Sequence, residues 1–178
     1  ICDQLNINER ELIEITNQHP RVNLLQPGCG VGGHCIAIDP QFITSKFPSI
    51  SKLIQSSLEI NNQKKEWVLT KIKLLVKDFI ESKNRIPIVG VFGISFKPNV
   101  DDLRESPALE IVNKLKDQKF NLMICEPNLT NHDGFKLFNT NETVKFADIL
   151  VFLVAHNEFL NLDVKRKEVL DICGVTQI

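Results

Sequence analysis

The stretch Gly32-Gly33-His34-Cys35-Ile36-Ala37-Ile38-Asp39-Pro40 sets a thiol beside two glycines and four residues ahead of a carboxylate. A thiolate is a strong nucleophile towards carbonyl carbon. The glycines leave room for a bulky substrate and for backbone N–H groups near a developing oxyanion. If the segment turns helical, Asp39 comes one turn from the sulfur, where it can orient a water or accept a proton. The alternative is a thiol packed as a small hydrophobe. Metal chemistry fits poorly. His34 and Cys35 are adjacent and Cys29 lies six residues before Cys35, which matches neither the C-x₂₋₄-C nor the H-x₃₋₅-H spacing.

A second run, Gly93-Ile94-Ser95-Phe96-Lys97-Pro98-Asn99-Val100-Asp101-Asp102-Leu103-Arg104-Glu105-Ser106-Pro107, leads from a strand to a helix. That is where doubly wound sheets bind ligands. Lys97 and Arg104 add positive charge to the crevice and suit a phosphate-bearing ligand. A polar loop of surface ion pairs among Asp101, Asp102, Arg104 and Glu105 is the competing explanation. Gly90-x-x-Gly93 lacks the G-x-G-x-x-G fingerprint, and Glu126 falls 36 residues after Gly90 where a ribose-binding acid belongs ~20 further on. This half therefore reads as a poor dinucleotide binder. A third group, His19-Pro20-Arg21, sets a histidine and an arginine about a proline. Taken alone it is a solvated helix end.

The elements that must position these groups follow from periodicity. Glu9 to Gln18 reads as a helix stopped by His19-Pro20, because the residue before proline is pushed out of the α region. Residues 21–40, with Gly28, Gly30, Gly32 and Gly33, form a loop. From Ser49 to about Lys83 a long helix is expected, with Val68, Leu69, Ile72, Leu75, Val76, Phe79 and Ile80 on one face. Its length of roughly 50 Å exceeds the internal needs of a small domain, so it connects domains or meets a second subunit.

After Asn84–Pro87 the pattern changes. Residues 88–94, 120–125 and 149–154 read as buried strands, and 169–173 as a fourth. Ser106 as N-cap and Pro107 at the first helical position open a helix with Ala108, Leu109, Val112 and Leu115 inward; Glu142 to Phe146 is a short helix. The expectation is an α/β chain: a long-helix segment over 1–84, then a Rossmann-like parallel sheet over 85–178.

Composition narrows the function classes. The 178 residues are 43% hydrophobic and 24% charged, and the formal net charge is −1. Residues 1–84 carry 10 basic and 9 acidic side chains and residues 85–178 carry 11 and 13, so neither half offers a nucleic-acid surface. No apolar run suits a membrane span and no signal-peptide pattern opens the chain, which points to the cytoplasm. Five cysteines at irregular spacing point to reduced thiols.

Together, His19-Pro20-Arg21-Val22-Asn23, Gly30 to Pro40 and Gly93 to Pro107 resemble the UDP-glucose/GDP-mannose dehydrogenase family, in particular its mannosamine branch. The resemblance covers nearly the whole chain and points to the second half of such an enzyme. It implies a UDP-binding C-terminal domain, a helical dimerisation region and an NAD-binding domain upstream. Cys35 would then be the nucleophile that holds the sugar aldehyde, and Asp39 would lie near the hydrolytic water. Gly33, Phe96 and Lys97 would contact the UDP-sugar, Arg104 would contact NAD, and His19 and Arg21 would reach a substrate bound mainly by the partner of a homodimer. His34 in place of serine favours an N-acetylated sugar, and the run from Arg21 to Gly28 favours mannosamine. Sister readings are a UDP-N-acetylglucosamine or UDP-glucose enzyme, or a non-catalytic UDP-binding or dimerisation module.

The departures carry expectations too. The family's NAD domain and its central-helix lysine and asparagine lie outside this sequence, so the chain is expected to be a fragment that does not turn over substrate alone. Cys29 replaces a usual proline and Gln41 a usual tryptophan. Thr176-Gln177-Ile178 replaces an aromatic and an arginine that follow Asp171-x-x-Gly174-Val175.

Overall fold

The computed structural model describes residues 1–165 and 167–176, so the Gln177-Ile178 departure lies outside the described residues. The chain opens with a short α1 (Cys2–Leu5) and then α2 (Glu9–Thr16). Asn8 starts α2 because its side chain accepts the amides of Arg10 and Glu11 at 3.0 and 3.2 Å. A non-helical run carries the chain to α3 (Asp39–Lys46), and α4 (Lys52–Lys83) spans 32 residues, about 48 Å. Its end is set by Asn84, whose left-handed φ of 52° lets its N–H reach the Ile80 carbonyl.

Burial divides α4. Val68, Leu69, Ile72, Val76 and Phe79 are buried, whereas Leu53 and Ile60 in the first half stay 81% and 65% exposed. The expected inner face needs one correction. Ile80 is 38% exposed, in the last turn before the helix ends at Asn84.

The sheet contains β1 (Val89–Phe92), β2 (Leu122–Cys125), β3 (Ile149–Phe152) and β4 (Glu168–Asp171), all parallel, in the order β2-β1-β3-β4. α5 (Pro107–Asp117) joins β1 to β2 and α6 (Thr140–Phe146) precedes β3. Continuous apolar strands are required because both faces are covered. Val89, Val91, Ile149 and Val151 pack under α4 and α5 with Ile72, Ile111, Val112 and Leu115. Phe92, Leu150 and Phe152 point the other way with Phe159, as the two-residue period of a strand dictates. Phe92 and Phe152 are register partners whose rings stack at 4.5 Å.

Ser106 caps α5 as its type and place predict. Its hydroxyl accepts the Leu109 amide at 3.2 Å and donates to the Ile94 carbonyl at 2.7 Å. Within α5, Ile111 lies fully in the core and Leu109 only partly, the reverse of the expected emphasis. The helix packs beside α4 on the same face of the sheet, with Ala108, Ile111, Val112 and Leu115 buried.

Candidate functional site

Two loops meet where the helical segment touches the sheet domain. The first follows Cys29, whose thiol is buried and donates to the Leu153 carbonyl at 3.5 Å; burial pushes that thiol up to about 11. Four residues on, the Gly33 amide donates to the Arg104 carbonyl of the second loop at 3.2 Å. Past this point the chain turns. The amides of Ile38 and Asp39 donate to the Cys35 carbonyl at 3.0 and 2.8 Å, and the turn runs into α3. Asp39 therefore stands one turn beyond Cys35, the helical condition that makes the pair chemically useful. Both side chains are exposed.

The second loop leaves β1 and folds back on itself. Phe96 donates its amide to the Asp102 carbonyl at 3.0 Å, and Lys97 sets its ammonium 5.4 Å from the centre of the Phe96 ring. Phe96 reaches across to the first loop. A Cβ on Gly33 would lie 2.9 Å from a carbon of that ring, and the φ of +90° at Gly33 is one that side chains disfavour. The two loops thus interlock at Gly33, with Cys35 two residues along the chain and Lys97 exposed next to Phe96.

Of the ion pairs expected in this loop, Asp102 and Arg104 form one. Arg104 Nε lies 3.0 Å from each carboxylate oxygen and Nη2 lies 2.6 Å from Oδ2. The Arg104 side chain and backbone hold the Asp102 carboxyl down at about 2, with a small contribution from His34. Asp102 raises Arg104 in turn, and Cys35 lies near enough to add to that shift. A cavity of about 570 Å³ lies beside both loops, lined by Val31, Ala37, Asn61, Leu103 and Glu105; Cys35 and Lys97 do not line it.

A buried polar cluster under the second loop escaped the sequence reading. Glu126, at the end of β2, accepts the Ile94 and Ser95 amides at 2.8 and 3.1 Å. His156 Nδ1 accepts the Asn99 amide at 2.9 Å, so that nitrogen carries no proton and Nε2 donates to Glu126. Burial works against the Glu126 charge, but the His156 bond and the Ile94 and Asn128 amides outweigh it and lower its pKa. Position 126 gave a weak signal, an acid ending a strand. Position 156 gave none.

His19 and Arg21 are exposed at the end of α2, and among the described residues neither has a hydrogen bond to the Cys35 loop or to the 94–106 loop. At the far end, Asp171 gathers the amides of Cys173, Gly174 and Thr176 and the Thr176 hydroxyl, and Arg10 Nη2 comes within 4.0 Å of it. No cluster of three or more potential metal ligands occurs among the described residues. No described helix is long and apolar enough to cross a membrane.

The sheet is a poor cradle for a dinucleotide. The acid at the end of β2 is buried and turned inward, its Oε2 accepting the Ile94 and Ser95 amides and its Oε1 the Asn128 amide. Arg104, with its side chain 63% exposed, can donate to an anionic cofactor at one point.

Comparison with known proteins agrees in extent and order. The UDP-glucose/GDP-mannose dehydrogenase family matches twice, its central domain over residues 1–63 and its UDP binding domain over residues 90–177. A UDP-N-acetyl-D-mannosamine dehydrogenase of Campylobacter jejuni is 43% identical over 97% of this chain and 43% of its own length. An NDP-N-acetyl-D-galactosaminuronic acid dehydrogenase of Ralstonia solanacearum is 43% identical over 98% of this chain and 42% of its own. The solved structure of the UDP-N-acetyl-mannosamine dehydrogenase from S. aureus superposes with a TM-score of 0.78 at 35% identity, covering 99% of this chain and 41% of that one. The chain spans about two fifths of the length of the curated relatives it matches.

Proposed function

The chain belongs to the UDP-glucose/GDP-mannose dehydrogenase family, and from that premise we propose that it is the catalytic-thiol and UDP-binding part of an enzyme that oxidises C6 of a UDP-N-acetylhexosamine, UDP-N-acetyl-D-mannosamine, to the uronate. The observation that carries this reading is the interlock at Gly33, which joins the loop of an exposed cysteine to the loop of Phe96 and Lys97.

In this reading Lys97 and Phe96 grip the UDP-sugar, Gly33 gives the sugar room, and the Cys35 sulfur adds to the aldehyde carbon formed from the 6-hydroxyl. The adduct retains a hydrogen on that carbon. Once a hydride and the hydroxyl proton have left, the adduct is a thioester, which water opens to carboxylate and free thiol. Asp39 orients that water from one turn away. NAD, when bound, would accept the hydrides of both oxidations, and Arg104 would supply one contact to it. His19 and Arg21 serve the site of the second subunit of a homodimer.

A second reading keeps every role and changes the sugar to an N-acetylgalactosamine. It is favoured by the 43% identity to the Ralstonia enzyme, which equals the identity to the Campylobacter one. The full-length protein with NAD should form two NADH per uronate, and Cys35→Ala should abolish this; one NADH per turnover rejects the mechanism. A panel of UDP-N-acetylmannosamine, UDP-N-acetylgalactosamine, UDP-N-acetylglucosamine and UDP-glucose decides the sugar.

A further inference from the structure

Asn61 lies in the exposed first half of α4, yet its side chain is committed. Its Oδ1 accepts the Val31 amide at 2.7 Å and its Nδ2 donates to the Val31 carbonyl at 2.8 Å. One carboxamide thus pairs both backbone groups of a single loop residue, as a neighbouring strand would. Only one orientation of the amide satisfies both bonds. The loop is shaped to admit it: Gly30 takes a φ of +141°, and a Cβ there would come within 3.3 Å of Asn61 Oδ1. Among the described residues, no other α4 side chain hydrogen-bonds to residues 29–38.

The loop has three ties before the thiol: Cys29 to Leu153, Val31 to Asn61, and Gly33 to Arg104. The first and third belong to the sheet domain. Without the second, the segment can pivot on those two while the sulfur, two residues past the last tie, moves relative to α4. We propose that Asn61 is a positioning residue that registers the Cys35 loop against the long helix. This rests on the reading of Cys35 as the nucleophile. Asn61 makes no hydrogen bond to Cys35 among the described residues; it acts through Val31.

The test compares Asn61→Leu, which removes both bonds at similar volume, with Asn61→Asp, which keeps the acceptor for the Val31 amide. Losing both bonds should speed amide exchange at Val31 by about tenfold or more, with Asn61→Asp in between. In the full-length enzyme, kcat should fall about tenfold or more while KM for the UDP-sugar stays within about twofold, because a displaced nucleophile costs rate and not grip. A merely structural residue would lower thermal stability and leave kcat of the folded fraction unchanged. Unchanged Val31 exchange, or a freed Val31 with unchanged kcat, overturns the proposal. If Asn61→Leu fails to fold, Asn61→Asp carries both readouts. A wild-type enzyme that makes no NADH sinks the nucleophile reading. The clamp is then judged by Val31 exchange and by the alkylation rate of Cys35, which must shift in Asn61→Leu for the proposal to stand.

Discussion

His156 Nε2 donates to the Glu126 carboxylate at 3.1 Å, and neither side chain has any solvent exposure. The pair joins the ends of β2 and β3 beneath the loop that carries Phe96 and Lys97. Three of the bonds around it pin that loop: Ile94 and Ser95 donate amides to Glu126, and Asn99 donates to His156. Replacing His156 by phenylalanine leaves a buried carboxylate short of a partner and should cost about 3 kcal/mol in urea denaturation. An unchanged midpoint would show that the network is dispensable.

The same carboxylate predicts an acid response. Its pKa lies below the ordinary 4.5 in the folded state, so its stabilisation is complete above that pH. It is lost as pH falls through the depressed folded value. Comparing wild type with Glu126→Gln by thermal denaturation between pH 6 and pH 3 should give a shallower acid slope for the variant. Parallel slopes would contradict this.

The five thiols should separate by accessibility. Cys35 is exposed, while burial pushes Cys29 and Cys125 up to about 11, so iodoacetamide at neutral pH should modify Cys35 before either. Peptide mass spectrometry of a time course reads the order. Early labelling of Cys29 would mean that its loop opens.

Gly33→Ala meets two obstacles, a positive φ and the Phe96 ring. Strain of about 1–3 kcal/mol is expected, along with a fall in turnover of the full-length enzyme that Gly28→Ala, which meets no atom within 4 Å, does not share. Equal effects at the two glycines would remove the interlock from the mechanism.

The two halves of α4 should respond differently. Ile72→Ala opens a cavity in the core and should cost about 2–5 kcal/mol, whereas Leu53→Ala should stay within about 0.5 kcal/mol in the monomer. If this helix meets a second subunit, Leu53→Asp shifts sedimentation of the full-length protein towards monomer. An unchanged coefficient would move the interface elsewhere.

Sequence by itself determined what depends on neighbours a few residues apart: Ser106 and Pro107 opening a helix, three continuously apolar buried strands, a glycine loop before Cys35, and three motifs in family order. Helix and strand periods, caps and motifs are local, so they survive being read along a line. Tertiary structure alone decided which half of α4 is covered, since Leu53 and Ile72 are alike as side chains and differ in what lies opposite. It also decided that Glu126 turns inward, because His156 follows it by 30 residues and meets it only when β3 is laid beside β1. The Asn61 clamp spans 30 residues in the same way. Such a pair needs two backbones brought to hydrogen-bond distance, and that separation is a property of packing, which no spacing in the sequence encodes.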